Sequence, residues 1–313
     1  MKTKKTLSSV AIAFAAVLAL GSCNQSDDIQ ADGPRSIQFT ANIGEQMAVA
    51  SQTRAAGTNW NQDDAIGVFM VKNKETSIAS TYAGNKKFTT SIGNLFMPLP
   101  GYEIYYPLDE NNRVDFIAYY PYTDGLNMDS KIDVSTADQS KQPEFDMLWA
   151  KADNSGQGYG KNYGDNIPLT FNHRLARLTM NIKAAANTAL ADLDGMVVTI
   201  KGMNTATTFA VKDGAIGTAT TKTNFTARKT TTPISGGYLA TYDAIIVPAT
   251  YADSDITVEF SVYGLTFTWN MGGVEFTSGN DYVYDVLLTL TGVKTMATIN
   301  QWNTKTQGTV YAE

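Results

Sequence analysis

The chain has 313 residues, with 30 acidic side chains against 24 basic ones, a net charge of -6, one cysteine and one histidine. One Cys excludes an internal disulfide, one His excludes a His-rich metal cluster, and a net negative charge leaves no basic footprint for a nucleic-acid backbone. Hydrophobic residues make up 43% and charged residues only 17%, too apolar for a disordered chain and enough for a sizeable core, which at this length divides more naturally into two domains than one.

In chain order, the first element is a leader. Lys2, Lys4 and Lys5 form a basic start, and Val10 to Leu20 is an unbroken apolar run that falls well short of the roughly 20 residues of a membrane-spanning helix. The run reads as the apolar region of a signal peptide. Leu20-Gly21-Ser22-Cys23 resembles a bacterial lipobox, in which a Leu and two small residues fit a peptidase cleft and the Cys is acylated before the cut. The chain's one Cys stands where a lipobox requires it, so residues 1–22 are expected to be a lipoprotein signal peptide and Cys23 the lipidated N-terminus, tied to the outer membrane. A diacylglyceryl group with an amide-linked chain exceeds the two signals that stable anchoring needs, at about 0.8 kcal/mol per buried CH₂. Residues 23–35 then form an acidic tether, whose Asn24-Gln25-Ser26-Asp27-Asp28 resembles a tag that routes lipoproteins to the cell surface. Cleavage leaves 291 residues with 21 basic and 30 acidic side chains, a charge of -9.

Beyond residue 36 the hydrophobic period is almost entirely two, which predicts an all-β fold. Ile37, Phe39, Ala41 and Ile43 alternate with polar neighbours, as do Leu178, Met180 and Ile182. Ala65 to Val71 and Ala244 to Val247 are continuous apolar runs suited to strands buried on both faces. Asp255 to Met271 alternates on either side of Gly264, which predicts a hairpin or a bulged long strand. Tyr282, Tyr284, Val286, Leu288 and Leu290 mark a further strand, and Ala184 to Leu193 is the one helix candidate. Glycine and polar residues replace the alternation over Asp153 to Asn166, which puts the expected domain boundary at 165/166: an N-terminal β-sandwich over 36–165 and a C-terminal one over 166–313.

No constellation for catalysis emerges. His173 lies in Phe171-Asn172-His173-Arg174-Leu175 without a Gly-x-Ser-x-Gly elbow, and reads as a structural histidine at a strand edge or domain junction. Asp63-Asp64 lacks the ligand spacing of a calcium loop and reads as a solvated turn. The Gly-rich stretch carries neither phosphate-binding pattern. Tyr105-Tyr106 and Tyr119-Tyr120-Pro121-Tyr122 could stack on a glycan, but aromatics in strands are more often core or cross-strand partners. No catalytic residue, metal or cofactor is assigned.

Five segments carry a resemblance: Trp60 with Asp63-Asp64-Ala65-Ile66-Gly67-Val68-Phe69, then Asp115-Phe116-Ile117-Ala118-Tyr119-Tyr120-Pro121, Asp146-Met147-Leu148-Trp149-Ala150, Phe171 to Leu175, and Gly279-Asn280-Asp281-Tyr282-Val283-Tyr284. In this order, behind a lipobox, they resemble the Bacteroidetes fimbrillins, the family of type V pilus subunits and Mfa-like surface lipoproteins. The resemblance implies two tandem transthyretin-like β-sandwich domains and a precursor that polymerises with other fimbrial subunits by donor-strand exchange. It also implies a trypsin-like cut after an Arg that follows the first strand. The matching position is Arg54, before Ala55, in Gln52-Thr53-Arg54-Ala55-Ala56-Gly57, so that the strand within 36–50 is removed on maturation and 55–313 keeps a charge of -7 from 19 basic and 26 acidic side chains. Arg35 precedes the strand, and cutting there would free the lipid without opening a groove. The donor strand falls in the tail 292–313, with Met296, Ile299, Trp302, Val310 and Tyr311. Their irregular spacing leaves the register open, and a tail of this length favours a shaft or anchor subunit over a tip. The alternative is a permanently anchored surface lipoprotein that binds host glycan or protein as an adhesin, with a glycan-processing enzyme third.

Overall fold

Period-two alternation becomes strand almost everywhere in the computed structural model, which describes residues 36–44, 59–90, 93–185, 193–231, 237–289, 292–302 and 309–310. The fold is all-β. Of the expected helix Ala184 to Leu193, Ala184 ends a strand, Ala185 and Leu193 are irregular, and 186–192 lies outside the described residues. Among the described residues no helix is long and apolar enough to cross a membrane.

The first strands are β1 (Gln38–Ile43), β2 (Ala65–Lys72), β3 (Thr81–Thr90), β4 (Leu95–Pro98), β5 (Val114–Tyr120), β6 (Lys131–Ser135), β7 (Leu148–Ala152) and β8 (Asn166–His173). Seven of them close into a barrel in the order β1-β4-β3-β2-β5-β7-β8, with β8 back against β1. Side chains of alternate residues fill it, among them Phe39, Val68, Phe88, Phe116, Leu169 and Phe171. Strands β2 and β5 are apolar on both sides because each serves two cores: Val68 and Phe116 face into the barrel, while Phe69 and Tyr119 face out into a second apolar layer. Gly67 is required there, since it lies opposite Tyr119 in the β2–β5 ladder and a Cβ on it would fall inside the Tyr119 ring.

The remaining strands are β9 (Ala176–Ala184), β10 (Val197–Lys201), β11 (Asn204–Ala210), β12 (Thr220–Lys222), β13 (Phe225–Thr226), β14 (Arg228–Lys229), β15 (Ala240–Ile246), β16 (Ala249–Tyr251), β17 (Thr257–Val262), β18 (Leu265–Asn270), β19 (Val274–Phe276), β20 (Asn280–Thr289), β21 (Gly292–Gln301) and β22 (Thr309–Val310). A six-stranded sheet, β14-β15-β9-β20-β21-β22, and a four-stranded one, β13-β10-β17-β18, enclose one core that includes Met180, Ile200, Phe260, Trp269 and Tyr284. Strands β17 and β18 form the expected hairpin. Its two-residue turn, Tyr263-Gly264, has positive φ at both positions, the twist that suits a tight antiparallel connection.

The two halves interleave. Strand β6 leaves the barrel sequence to pair with β11, and β8 stays in the barrel, so the sheet changes only between His173 and Ala176. The boundary expected at 165/166 therefore falls inside the barrel. The Gly-rich stretch before it is the turn from β7 to β8, with Asn154, Ser155, Gly156 and Gly158 all at positive φ and Tyr159 bridged to Val114. A third apolar core joins the halves, with Phe69, Tyr119, Phe145 and Met147 from one side and Leu175, Phe209, Ile245 and Trp302 from the other.

Candidate functional site

Strand β1 occupies a seat between β4 and β8. It runs parallel to β8 over six paired residues, Gln38 opposite Asn166 through Ile43 opposite Phe171, and antiparallel to β4 over only two, Phe39 opposite Phe96 and Thr40 opposite Leu95. Its inward side chains Ile37, Phe39 and Ala41 are fully buried and Ile43 is 2% exposed. The Phe39 ring meets Phe88 and Phe116 edge-on, with centroids 4.9 and 5.3 Å away. The backbone is tied at both ends: Ile37 N donates to the Ile104 carbonyl at 2.9 Å and Gly44 N to the Phe171 carbonyl at 2.8 Å.

Trp60 clasps this strand from across the barrel end. Its indole Nε1 donates to the Ala41 carbonyl at 2.6 Å, and its ring contacts Phe96, Tyr120 and Phe171 at 5.0 to 5.5 Å. The turn before β2 is fixed by the same residues, since Asp64 accepts from Asn61 N at 2.7 Å and from the Tyr120 hydroxyl at 3.2 Å while Asp63 is exposed at positive φ. Asp115 is a fully buried acid that accepts from Asn73 Nδ2 at 2.7 Å and Lys74 N at 3.0 Å, with Lys151 Nζ at 3.6 Å. It pins the turn after β2.

The tyrosine runs are mostly structural. Tyr119 and Tyr120 are buried, and burial pushes the Tyr119 phenol up to about 12. Tyr106 is half-buried, its hydroxyl donates to the Gly164 carbonyl at 2.9 Å, and burial followed by the neighbouring Tyr159 and Tyr163 raises its pKa. Tyr105 is exposed. His173 is a structural histidine at the junction of the two halves, where Nδ1 shares a 2.9 Å hydrogen bond with Asp146 Oδ1.

Of the other residues singled out, Cys23, Arg54, Ala55 and Tyr311 lie outside the described residues. Met296 and Ile299 lie on β21, 44% and 45% exposed, and Trp302 follows it, buried in the core that joins the halves. Val310 lies on β22, opposite Ala297. The segment 292–301 is paired along its whole length with β20, ten residues in register, and not a free tail. Sequence reasoning missed β8 as the second wall of the seat, although Ile167, Leu169, Phe171 and His173 alternate there as plainly as β1 does.

Comparison with known proteins follows the same lines. A family model described as fimbrillin-like matches residues 53–302. A curated protein of Bacteroides uniformis, "Putative fimbrium subunit Fim1C", is 28% identical over 302 residues, covering 93% of each chain. The crystal structure of a "putative cell adhesion protein" from Bacteroides uniformis superposes with a TM-score of 0.67 at 26% identity, covering 87% of this chain and 99% of that one. Another so described, from Bacteroides ovatus, shares the fold with a TM-score of 0.62 at 22% identity, covering 88% and 100%.

Proposed function

Because the chain belongs to the fimbrillin-like family, we propose that it is a structural subunit of a cell-surface fimbria serving adhesion, exported as a lipoprotein through Cys23 and polymerised when a protease cuts after Arg54 and subunits exchange strands. The observation that carries this reading is the position of β1. It is a complete wall of the barrel, yet it lies N-terminal to Arg54, so a cut there leaves it bound by noncovalent contacts alone.

Without β1 the other six strands keep their order, and the barrel opens between β4 and β8 with Phe88, Phe116 and Phe171 uncovered. Ile37, Phe39 and Ile43 each contribute about 1.5–3 kcal/mol by burial, so the vacated seat forgoes about 5–9 kcal/mol until another strand fills it. An incoming strand recovers that by laying its main chain along the edges and placing alternate apolar side chains in the groove. The tail 292–313 of a neighbouring subunit is the proposed donor. N-terminal sequencing of the surface-exposed protein tests the scheme. A chain beginning at Ala55 is the expected result. An acylated Cys23 on the assembled protein would overturn the cut and leave a permanently anchored surface lipoprotein.

A further inference from the structure

Three segments away from Trp60, Asp146 to Ala150, Asn172 to Leu175 and Gly279 to Tyr284, converge at one place. Arg174 N donates to the Met147 carbonyl at 2.8 Å, Gly279 N to the Leu175 carbonyl at 2.8 Å, and Ser278 Oγ to the Arg174 carbonyl at 2.8 Å. Gly279 is at φ +76°, and a Cβ on it would press on the His173 carbonyl at 3.3 Å. What they hold is Trp302. Its indole stacks on the His173 ring, with centroids 3.7 Å apart and planes 3° from parallel, the Arg177 guanidinium is 6.0 Å from its centroid, and its backbone N donates to the Gly279 carbonyl at 2.8 Å.

Strand β21, just before it, is held differently. It makes a long ladder with β20, but no side chain from Gly292 to Gln301 is buried; Val293 and Ala297 only rest against the core. Trp302 is thus the one fully committed side chain among the described residues from 292 to 302. Its indole Nε1 is buried without a hydrogen-bond partner among the described residues. An orphaned buried donor costs about 1–3 kcal/mol, so the indole is held by stacking and apolar burial against a standing penalty that its withdrawal relieves.

We propose that Trp302 is a retaining pin: docked in the socket formed by His173, Asp146 and Gly279, it keeps the C-terminal strands on their own subunit, and its withdrawal is the step that frees them. The proposal rests on the reading of 292–313 as the donor. The socket explains why His173 is fixed by a buried carboxylate: the Asp146 bond holds the imidazole plane flat against the indole.

The test is hydrogen exchange on the intact, unassembled subunit, which reads the pin independently of any polymer. In Trp302→Ala, amides of 292–302 should exchange about ten-fold faster or more, while those of β2 and β5 stay within about two-fold of the parent. Unchanged exchange over 292–302 overturns the proposal, and so does an equal loss of protection in β2 and β5, which would make Trp302 an ordinary core residue. Trp302→Phe keeps a ring over His173 without emptying the core, and should speed tail exchange by a smaller factor of about three; no increase overturns the pin. If the tail opens faster but Trp302→Ala polymerises no faster, the pin stands and the donor role of the tail falls.

Discussion

Replacing Phe39 by Ala tests whether β1 is seated as firmly as the rest of the barrel. The ring is fully buried and meets Phe88 and Phe116 edge-on. Its transfer from water contributes about 2–3 kcal/mol, and each aromatic pair adds about 0.5–1.5 kcal/mol. The ladders to β4 and β8 hold the backbone on both sides, so the cavity cannot collapse, and the total should approach the upper part of the range of about 3–5 kcal/mol for burial sites of this kind. Gln38→Ala, whose side chain points away from the core, should cost no more than about 0.5 kcal/mol. Urea unfolding of the intact subunit provides the measurement. With a slope of about 3 kcal/mol/M, Phe39→Ala should lower the midpoint by about 1 M or more and Gln38→Ala should barely move it. A loss below about 1 kcal/mol for Phe39→Ala would refute the reasoning, because β1 would then lie on the barrel and not in it.

Arg54→Ala should leave unprocessed monomer and no heat-resistant ladder on a denaturing gel; ladders of parental intensity would remove Arg54 from the scheme. Gly67→Ala drives a methyl into the Tyr119 ring and should cost about 1–3 kcal/mol in the same urea assay, whereas Gly93→Ala, at positive φ but with open space around its Cβ, should cost only backbone strain of about 1 kcal/mol. Asp281 offers a pH test. Burial pushes its carboxyl above the ordinary value of 3.8, against the pull of Arg177 and the Thr179 hydroxyl. A raised acid favours the folded state while protonated, so its contribution is complete below about pH 4 and drains away as pH rises through the folded value. Asp281→Asn should therefore gain on the parent as pH increases from about 4 to 7, read as the difference in unfolding midpoint; a difference that shrinks with pH would contradict the burial argument.

The strands were legible because burial imposes their period, and their neighbours were not. Ile37, Phe39, Ala41 and Ile43 announce a half-buried strand, and Ala65 to Val71 one buried on both faces, which the structure bears out in β1 and β2. Nothing in an alternating pattern says which strand lies beside it. Thr40 bonds to Asn166 across 126 residues, and Val134 faces Thr207 from the other half of the chain. The same limit explains the domain boundary, since a Gly-rich turn inside a barrel and a Gly-rich linker look alike until the pairing on either side is known. His173 was legible as structural because no Gly-x-Ser-x-Gly elbow accompanies it in the sequence. Its stack on Trp302 was not, because 129 positions of sequence separate two residues that meet only when both halves have folded.

Strands β1 and β21 are held by opposite means, and the contrast would give the proposed strand exchange a direction. Strand β1 joins β8 by the one parallel ladder in the barrel, a pairing no short turn can supply, and is held mainly by the four side chains it buries. Strand β21 follows β20 directly and is held by a ten-residue ladder, with Met296 and Ile299 left nearly half exposed. Moved into a vacated β1 seat, a strand of that kind would exchange one ladder for another. Met296 and Ile299, three residues apart, point to opposite faces of a regular strand, so the seat would bury one of the two, which would gain about 1 kcal/mol from the half of its surface newly covered. The seat would regain the larger sum lost with β1. On the proposed scheme, exchange of this kind would run downhill only after β1 has gone, so an intact precursor would be held back twice, by the occupied seat on the acceptor and by the Trp302 pin on the donor.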